Sequence, residues 1–463
     1  MQDFINHSQI QDVLDRTKDP DKREVLDVIE KALELKGLLP EEAAILLNCG
    51  DKELVAEIYS TARKIKKEIY GRRLVLFAPL YISNFCSNNC VYCGFRRENK
   101  ELRRSALTMD EIRAEVTALE REGHKRLLML CGESPGRSPL DYFIEAIETA
   151  YSVKTEKGGE IRRINIEIAP QTVEAFRRLK AANIGTYVLF QETYHPGVYK
   201  EMHPPGPKAD YSWRLWAQHR AMEGGIDDVG IGALFGLNDY RFETLGLLYH
   251  AMHLDSTFGV GPHTISVPRL EPALNAPAAM KPPCPVSDDE FKRLVAVIRL
   301  SVPYTGIILS TRETQEIRSE VIELGISQIS AGSKVDPGGY TQKESDHFSA
   351  GQFNLGDTRS LDEVIRDIAS KGHIPSFCTA CYRLGRTGKD FMDVAKPGEI
   401  KHHCDPNALS TFMEYLMDYA SPETNDVGEI AVQAVLDDMA QEDRRRSEIM
   451  MENIRNGKRD IYF

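Results

Sequence analysis

Three cysteines lie close together in the stretch NFCSNNCVYCGF. Cys86, Cys90 and Cys93 have the spacing C-x3-C-x2-C, so three thiolates can surround one compact metal group. A [4Fe–4S] cube takes four ligands, and three protein thiolates leave one iron open to a substrate or cofactor. Zinc is the alternative, but zinc sites favour paired C-x2-C knuckles. The spacing therefore favours a catalytic iron–sulfur cluster.

A second group of three cysteines lies near the carboxyl end of the chain. Cys378, Cys381 and Cys404 have the spacing C-x2-C-x22-C, which is again one ligand short of four. His402 and His403 lie beside the last cysteine and could complete a Cys3His zinc site. From spacing alone, an iron–sulfur cluster and a zinc site remain equally open.

A scaffold must position these cysteines, and 463 residues suffice for a barrel with extensions at both ends. From Leu74 to about Ser333, eight short apolar runs alternate with longer amphipathic stretches. Buried parallel strands read as continuous apolar runs, and eight of them close a (β/α)8 barrel. The runs are LVLFAPLYI, RLLMLC, INIEIA, TYVLF, VGIGALF, HTISVP, GIILS and ISQISA. The predicted fold class is α/β, a TIM-type barrel.

The regions on either side of the barrel read as helical. We predict a helical N-terminal extension over 1–72, the barrel over 73–340, and a helical C-terminal domain over 341–463 that carries the second cysteine group. The polar, glycine-rich stretch 334–360 predicts a long loop or linker.

Composition excludes several classes of protein. A net charge of −12 argues against a nucleic-acid surface, and no run of eighteen apolar residues predicts a membrane span. The start, MQDFINHSQIQ, lacks the basic and apolar regions of a secretory signal. Nine cysteines, bunched at ligand spacings, favour a reducing compartment. We therefore predict a cytoplasmic location.

The active site of such a barrel lies at the carboxyl ends of its strands, where polar residues recur along this chain. Glu167 on the third strand and Glu192 in QETY after the fourth could bind ribose hydroxyls. The competing interpretation is that Glu167 is a buried carboxylate paired with Arg162 or Arg163.

Basic residues near other strand ends could bind carboxylates. Arg214 in DYSWRLW is a candidate through its bidentate fork, although a surface ion pair explains it as well. Arg312, in STRE after the seventh strand, suits an α-carboxylate better than Arg318 in the following helix. Ser330 and Arg269 are further candidates for substrate binding.

The first cysteine group, with Tyr92 and the following glycine, resembles the signature of the radical S-adenosylmethionine (SAM) superfamily. Cys131, Gly132 and Glu133 resemble the Gly-Gly-Glu motif that holds the SAM amino group, with a cysteine in place of the first glycine. The strand around Ile231 resembles the one that lies along adenine. This resemblance implies that Tyr92, Glu167, Glu192 and Arg214 also lie at the SAM site.

QETY, STRE and the helical N-terminus are similar to the tyrosine-cleaving radical SAM group, which includes the thiamine-pathway 2-iminoacetate synthase. The tail C-x2-C-x22-C and GPHTISVPRL are similar to the [FeFe]-hydrogenase maturases of that group. The resemblance implies a [4Fe–4S] cluster with SAM at its open iron, and cleavage of L-tyrosine into p-cresol and dehydroglycine.

The same resemblance implies a second iron–sulfur cluster at the C-terminal cysteines, with an extra iron bridged by free L-cysteine and held by His263. By itself, a lone histidine is more often structural. Dehydroglycine then gives CO and cyanide, which build an Fe–CO–CN unit for the hydrogenase H-cluster. Expected partners are ferredoxin or flavodoxin and other hydrogenase maturation proteins. The alternatives are a thiamine-pathway lyase that releases dehydroglycine, and a non-catalytic iron–sulfur carrier.

Overall fold

The structure is a computed structural model that describes residues 3–342, 351–396 and 399–463. Four helices come first: α1 (His7–Arg16), α2 (Lys22–Ala32), α3 (Pro40–Asn48) and α4 (Lys52–Tyr70). Their starts are fixed by side-chain caps; Asp21 and Glu24 form a capping box, and Asp51 accepts from two backbone N–H groups of α4. α3 and α4 pack on the outside of the barrel, against the later helix Asp288–Ser301, and α1 and α2 pack in turn on α3.

Eight parallel strands alternate with helices and close on themselves, because β1 pairs with both β2 and β8. The predicted barrel is confirmed. The strands are β1 (Arg73–Ser83), β2 (Arg126–Cys131), β3 (Arg163–Glu167), β4 (Tyr187–Glu192), β5 (Val229–Ala233), β6 (Thr264–Ser266), β7 (Gly306–Leu309) and β8 (Gln328–Ser330). The helices are α5 (Met109–Glu122), α6 (Leu140–Ser152), α7 (Val173–Ala181), α8 (Pro196–Met202), α9 (Tyr211–Leu215), α10 (Ala217–Glu223), α11 (Tyr240–Phe258), α12 (Pro277–Met280), α13 (Asp288–Ser301) and α14 (Gln315–Leu324), with a 3-10 turn at Pro207–Ala209.

The C-terminal region adds a strand that the sequence did not predict. β9 (Ile374–Ser376) pairs with Arg73–Val75 at the start of β1, where β2 has not yet joined, since β2 pairs with β1 only from Ala78 onward. This pairing brings the second cysteine group to the amino end of the barrel. The helices around β9 are α15 (Leu361–Ser370), α16 (Ala380–Arg383), α17 (Gly388–Ala395), α18 (Ile400–Asp418), α19 (Pro422–Asp438) and α20 (Gln441–Arg455).

The stretch 334–360, predicted as a linker, has a larger role in its described part; residues 343–350 lie outside the described residues. Gln352 donates its N–H to Val335 O at 3.1 Å and accepts from Gly94 N at 3.0 Å. Val335 and Phe353 are buried. This segment therefore covers the carboxyl end of the barrel, next to the first cysteine group. We keep 1–72, 73–340 and 341–463 as a proposed division of the chain. Among the described residues, no helix is long and apolar enough to cross a bilayer.

Candidate active site

Cys86, Cys90 and Cys93 lie at the carboxyl end of the barrel and line one cavity of about 120 Å³. Two side-chain amides point at the sulfur atoms: Asn88 donates to Cys86 Sγ and Gln352 to Cys93 Sγ, both at 3.7 Å. Burial raises the pKa of Cys93 to about 12, so this thiol stays protonated until a bound metal displaces its proton. Three neighbouring thiols, one buried and two partly buried, with amide donors beside them fit an iron–sulfur cluster.

The end of β2 approaches this cysteine loop closely. A Cβ atom at Gly132 would lie 2.3 Å from Phe85 O, so the residue there must be glycine. Glu133 accepts a hydrogen bond from Asn88 Nδ2 at 2.5 Å. Cys131 lines the cavity and also packs against the main hydrophobic core, so a small thiol is accommodated where the related motif has glycine. Cys131, Gly132 and Glu133 all line the cavity.

Gly132→Ala is expected to weaken SAM binding by about tenfold or more, because the added Cβ must displace the cysteine loop at Phe85. The measurement is SAM affinity, with iron content, of the anaerobically reconstituted protein. Gly136→Ala is the matched control, since a Cβ there meets nothing within 4 Å. Equal SAM affinity in the two variants would contradict this account of the loop.

A buried charged group lies at the end of β4. Glu192 has a left-handed backbone (φ 72°) and pairs with Lys208 at 2.6 Å and Arg214 at 3.3 Å. Burial opposes ionisation, but the two cations outweigh it and hold the pKa of Glu192 below its ordinary value. Arg214 also donates to Phe190 O at 2.6 Å. It is a buried residue of the cavity wall rather than part of a surface ion pair.

Glu167 lies where this cavity meets a second one inside the barrel. Burial and the charge of Glu192 raise the pKa of Glu167 to about 7. Neither arginine of the competing interpretation pairs with it: Arg162 binds Glu414 at 2.7 Å, and Arg163 stacks on a tyrosine ring. The carboxyl group therefore faces the two cavities.

Tyr92 is held in place by a buried histidine. His203 Nδ1 lies 2.7 Å from Tyr199 O, and a carbonyl only accepts, so Nδ1 carries the proton. His203 Nε2 then accepts from the Tyr92 hydroxyl at 2.8 Å. Burial lowers the pKa of His203 to about 3, which keeps the ring neutral. The aromatic ring before the third cysteine thus has one fixed orientation at the cavity.

The inner cavity, of about 80 Å³, extends into the barrel and is lined by Arg312 and Ser330. The Arg312 guanidinium stacks 3.3 Å above the Phe353 ring, and burial lowers its pKa. Arg318, by contrast, pairs with Asp357 at 3.0 Å. Of the two arginines weighed from the sequence, only Arg312 lines this cavity.

Two other predicted residues do not present side chains to these cavities. Arg269 donates from Nε to Glu313 at 2.9 Å and pairs with Asp288 at 2.8 Å, so its fork is already occupied. It lines neither cavity, and its geometry favours a structural role. Ile231 packs its side chain in the main core, because the glycines on either side of it in β5 take the inward positions beside Val188 and Phe190.

The second cysteine group lines a separate cavity of about 50 Å³ at the amino end of the barrel. Cys378, Cys381 and Cys404 face it, and Cys378 is fixed by Arg126, which donates to its carbonyl at 2.6 Å. Arg73 also lines this cavity, and its Nε is buried without a hydrogen-bond partner among the described residues. Burial opposes its charge, but the nearby Cys404 and Cys378 groups outweigh burial and raise the pKa of Arg73. A partly buried cation beside three thiols fits a site that becomes anionic when a metal cluster binds.

His263 belongs to this second cavity. Its Nδ1 lies 3.6 Å from Asp228 Oδ1, too far for a hydrogen bond, and has no hydrogen-bond partner among the described residues. His403 also lines the cavity. His402 is exposed and bonded to Asp443 at 2.6 Å. Of the two adjacent histidines, only His403 could serve a zinc site here.

Comparison with known proteins fits this geometry. Residues 80–247 match the Radical SAM superfamily, and 266–374 match the Biotin and Thiamin Synthesis associated domain. The 2-iminoacetate synthase of Salmonella typhimurium is 30% identical over 78% of this chain and 92% of its own. A crystal structure of HydG, a maturase of the [FeFe]-hydrogenase, is 52% identical over the whole of both chains with a TM-score of 0.96. The chain belongs to the HydG family of radical SAM tyrosine lyases.

A second HydG structure, from Carboxydothermus hydrogenoformans, is 44% identical over 96% of this chain and 97% of its own, with a TM-score of 0.84. Both matched domains end before Cys378. The likeness to HydG spans the second cysteine group as well as the barrel.

Several residues of this HydG-family site escaped the sequence reasoning. They are Lys208 and Gln352 at the first cavity, and Arg73, Arg126, Asp228 and Tyr382 at the second. Arg73 and Arg126 each begin a buried strand, and a charge at such a position is a signal that could have been used. Lys208 and Gln352 come from irregular segments, where spacing carries no comparable signal.

Proposed function

We propose that this chain cleaves L-tyrosine into p-cresol and dehydroglycine, then forms CO and cyanide at a second iron–sulfur site to build an Fe–CO–CN unit for the hydrogenase H-cluster. One observation carries the proposal: a second three-cysteine cavity at the far end of the barrel, in a chain similar to HydG over its whole length. The second candidate is the 2-iminoacetate synthase activity, favoured by 30% identity. That activity leaves Cys378, Cys381 and Cys404 without a role.

Cys86, Cys90 and Cys93 would hold a [4Fe–4S] cluster whose open iron binds SAM, and this group supplies a 5′-deoxyadenosyl radical. The chain's own residues bind and orient SAM. The backbone at Gly132 approaches its amino group, and Glu192 in its fixed left-handed turn accepts from ribose hydroxyls. The other residues that we assign to this site, through side chains or backbone groups, are Tyr92, Cys131, Glu133, Glu167 and Arg214.

L-tyrosine occupies the inner cavity in this proposal. The Arg312 fork binds its carboxylate, because the guanidinium lines the cavity and is stacked rather than paired with an acid. Ser330 lies on the same wall, although its hydroxyl already accepts from Thr311 N at 3.1 Å. The apolar barrel wall excludes water from the substrate. Arg269, held by Glu313 and Asp288, takes no part in substrate binding in this proposal.

Cys378, Cys381 and Cys404 would hold the second cluster, and His263 would bind the extra iron through Nε2. The Asp228 carboxylate, 3.6 Å from Nδ1, would favour a proton on that nitrogen and leave Nε2 to the metal. L-cysteine completes this site as a bound small molecule. The proposed electron donor is ferredoxin or flavodoxin, and the proposed partners are other hydrogenase maturation proteins. The proposed location is the cytoplasm.

The test is anaerobic reconstitution with iron, sulfide, SAM, L-cysteine, L-tyrosine and a reductant, with p-cresol, CO and cyanide assayed together. The proposal expects all three products and iron in excess of one cluster per chain. Formation of p-cresol and glyoxylate without CO would favour the 2-iminoacetate synthase activity. Absence of both 5′-deoxyadenosine and p-cresol would favour a non-catalytic iron–sulfur carrier.

Arg312→Lys is expected to raise the KM for L-tyrosine by about tenfold while SAM affinity stays near wild type. Lysine keeps the charge but loses the planar fork, so the carboxylate is held less well. Arg269→Lys is the matched control: its partners Glu313 and Asp288 lie outside the cavities, so it is expected to lower stability and leave KM unchanged. Weaker SAM binding with unchanged tyrosine KM in Arg312→Lys would assign Arg312 to the SAM site instead.

A further inference from the structure

A strongly basic segment follows the first cysteine group directly. Residues 96–104, RRENKELRR, hold five basic and two acidic side chains in a protein whose net charge is −12. Within this segment, Arg97, Lys100 and Arg103 are exposed. The local charge is thus opposite in sign to that of the whole molecule.

This segment is fixed onto the cysteine loop rather than loosely attached. Arg104 donates to four backbone carbonyls, including Asn84 O at 2.5 Å and Phe95 O at 2.8 Å. Arg97 N donates to Asn88 O at 2.8 Å, between two of the cysteines in sequence. The exposed cations are therefore presented on a backbone that is hydrogen-bonded to the loop carrying the three thiols.

The helix Pro277–Met280, which contacts the same cysteine loop, carries an exposed apolar side chain. Met280 is 60% exposed, and its helix packs on the cysteine loop through Ala278 N, which donates to Val91 O at 3.0 Å. Lys281 next to it is exposed, and Arg96 hydrogen-bonds the preceding turn. We call Arg97, Lys100, Arg103, Met280 and Lys281 the basic face.

The acidic residues of the segment do not cancel this charge. Glu98 pairs with Arg96 at 3.2 Å, so neither adds to the field of the face. Glu101 is exposed and leaves a net positive surface with Arg97, Lys100 and Arg103. A positively charged surface with a small apolar centre is complementary to an acidic protein that binds transiently.

We propose that the basic face is the docking surface for a small acidic ferredoxin, which delivers the electron that the first cluster consumes. This inference rests on the proposed function, because radical generation from SAM takes one electron from outside the protein. The donor loses one electron and the cluster gains it, and no atom or proton moves. Ferredoxins reach the low potentials needed, and electron-transfer encounters use small, charge-steered interfaces.

The test measures reduction of the reconstituted first cluster by reduced ferredoxin in stopped flow, at low and at high salt. In the variant Arg97→Gln/Lys100→Gln/Arg103→Gln, the second-order rate at low salt is expected to fall about tenfold and to lose most of its salt dependence. The matched control is Lys18→Gln/Lys22→Gln/Arg23→Gln, which removes equal charge from exposed positions in the turn before α2 and in its first turn. It is expected to keep the wild-type rate.

Dithionite, which needs no docking, separates the two proposals. Dithionite-driven p-cresol formation is expected to be the same in both triple variants and wild type. Equal ferredoxin rates in the two variants would overturn the docking surface, and so would a loss of flavodoxin-driven reduction with ferredoxin-driven reduction unchanged. Absence of p-cresol from wild type with dithionite would refute the proposed function alone, since cluster reduction is measured without turnover.

Discussion

Replacing Cys86, Cys90 or Cys93 by alanine is expected to reduce 5′-deoxyadenosine, p-cresol and CO below detection. Two remaining thiolates hold a cube poorly and cannot present its open iron to SAM. The amides of Asn88 and Gln352 do not replace the lost thiolate, because they donate to these sulfur atoms. The measurement is chromatography of 5′-deoxyadenosine and p-cresol after anaerobic reconstitution, with iron counted per chain.

Cys284→Ala is the matched control for this series. The substitution removes the same thiol group from a position that lines neither cysteine cavity. The backbone N–H of Cys284 donates to Gly236 O, a bond that the substitution leaves intact. The control is expected to behave as wild type. Near wild-type p-cresol formation in any variant of the first cysteine group would end the assignment of the first cluster.

The barrel was predictable because its strands are buried on both faces. In β1, for example, ten successive residues from Leu74 to Ser83 are buried, so apolar side chains run without interruption. β9 was not predictable. Ile374–Ser376 is three residues long and contains a proline, and its pairing depends on an edge of β1 that β2 leaves open. Such an edge is visible only once the barrel has closed.

The cysteine groups were predictable because their ligands are largely local in sequence. The roles of Arg269 and Arg312 were harder to tell apart, since both candidates for substrate binding follow barrel strands. The sequence does not show whether a guanidinium group is already paired with a carboxylate. The guanidinium of Arg269 is paired with Glu313, which is next to Arg312 in the chain. Gln352 was read as part of a polar linker, yet it donates to a cysteine sulfur. Contacts of this kind arise from tertiary packing and leave no periodic pattern.

The double variant Cys378→Ser/Cys381→Ser is expected to keep p-cresol formation within about twofold of wild type while CO falls to background. The two cysteine groups lie at opposite ends of the barrel and line separate cavities, so the first site stays intact when the second is lost. Without the second cluster, no iron remains to capture the fragment of tyrosine. Cyanide can persist in part if dehydroglycine breaks down in solution. The measurement is p-cresol beside haemoglobin-trapped CO.

Two histidine variants distinguish the proposed iron site from a zinc site. His263→Ala is expected to be milder than the double variant: the thiolates remain, but the extra iron loses its protein ligand, so Fe–CO product falls more than p-cresol. His402→Ala is the matched control, because this exposed residue bonds Asp443 and lies outside the cavity. It is expected to leave both products unchanged. If the cysteine double variant instead lost p-cresol and CO equally, the second group would be structural, with zinc as its metal, and the maturase assignment would fail.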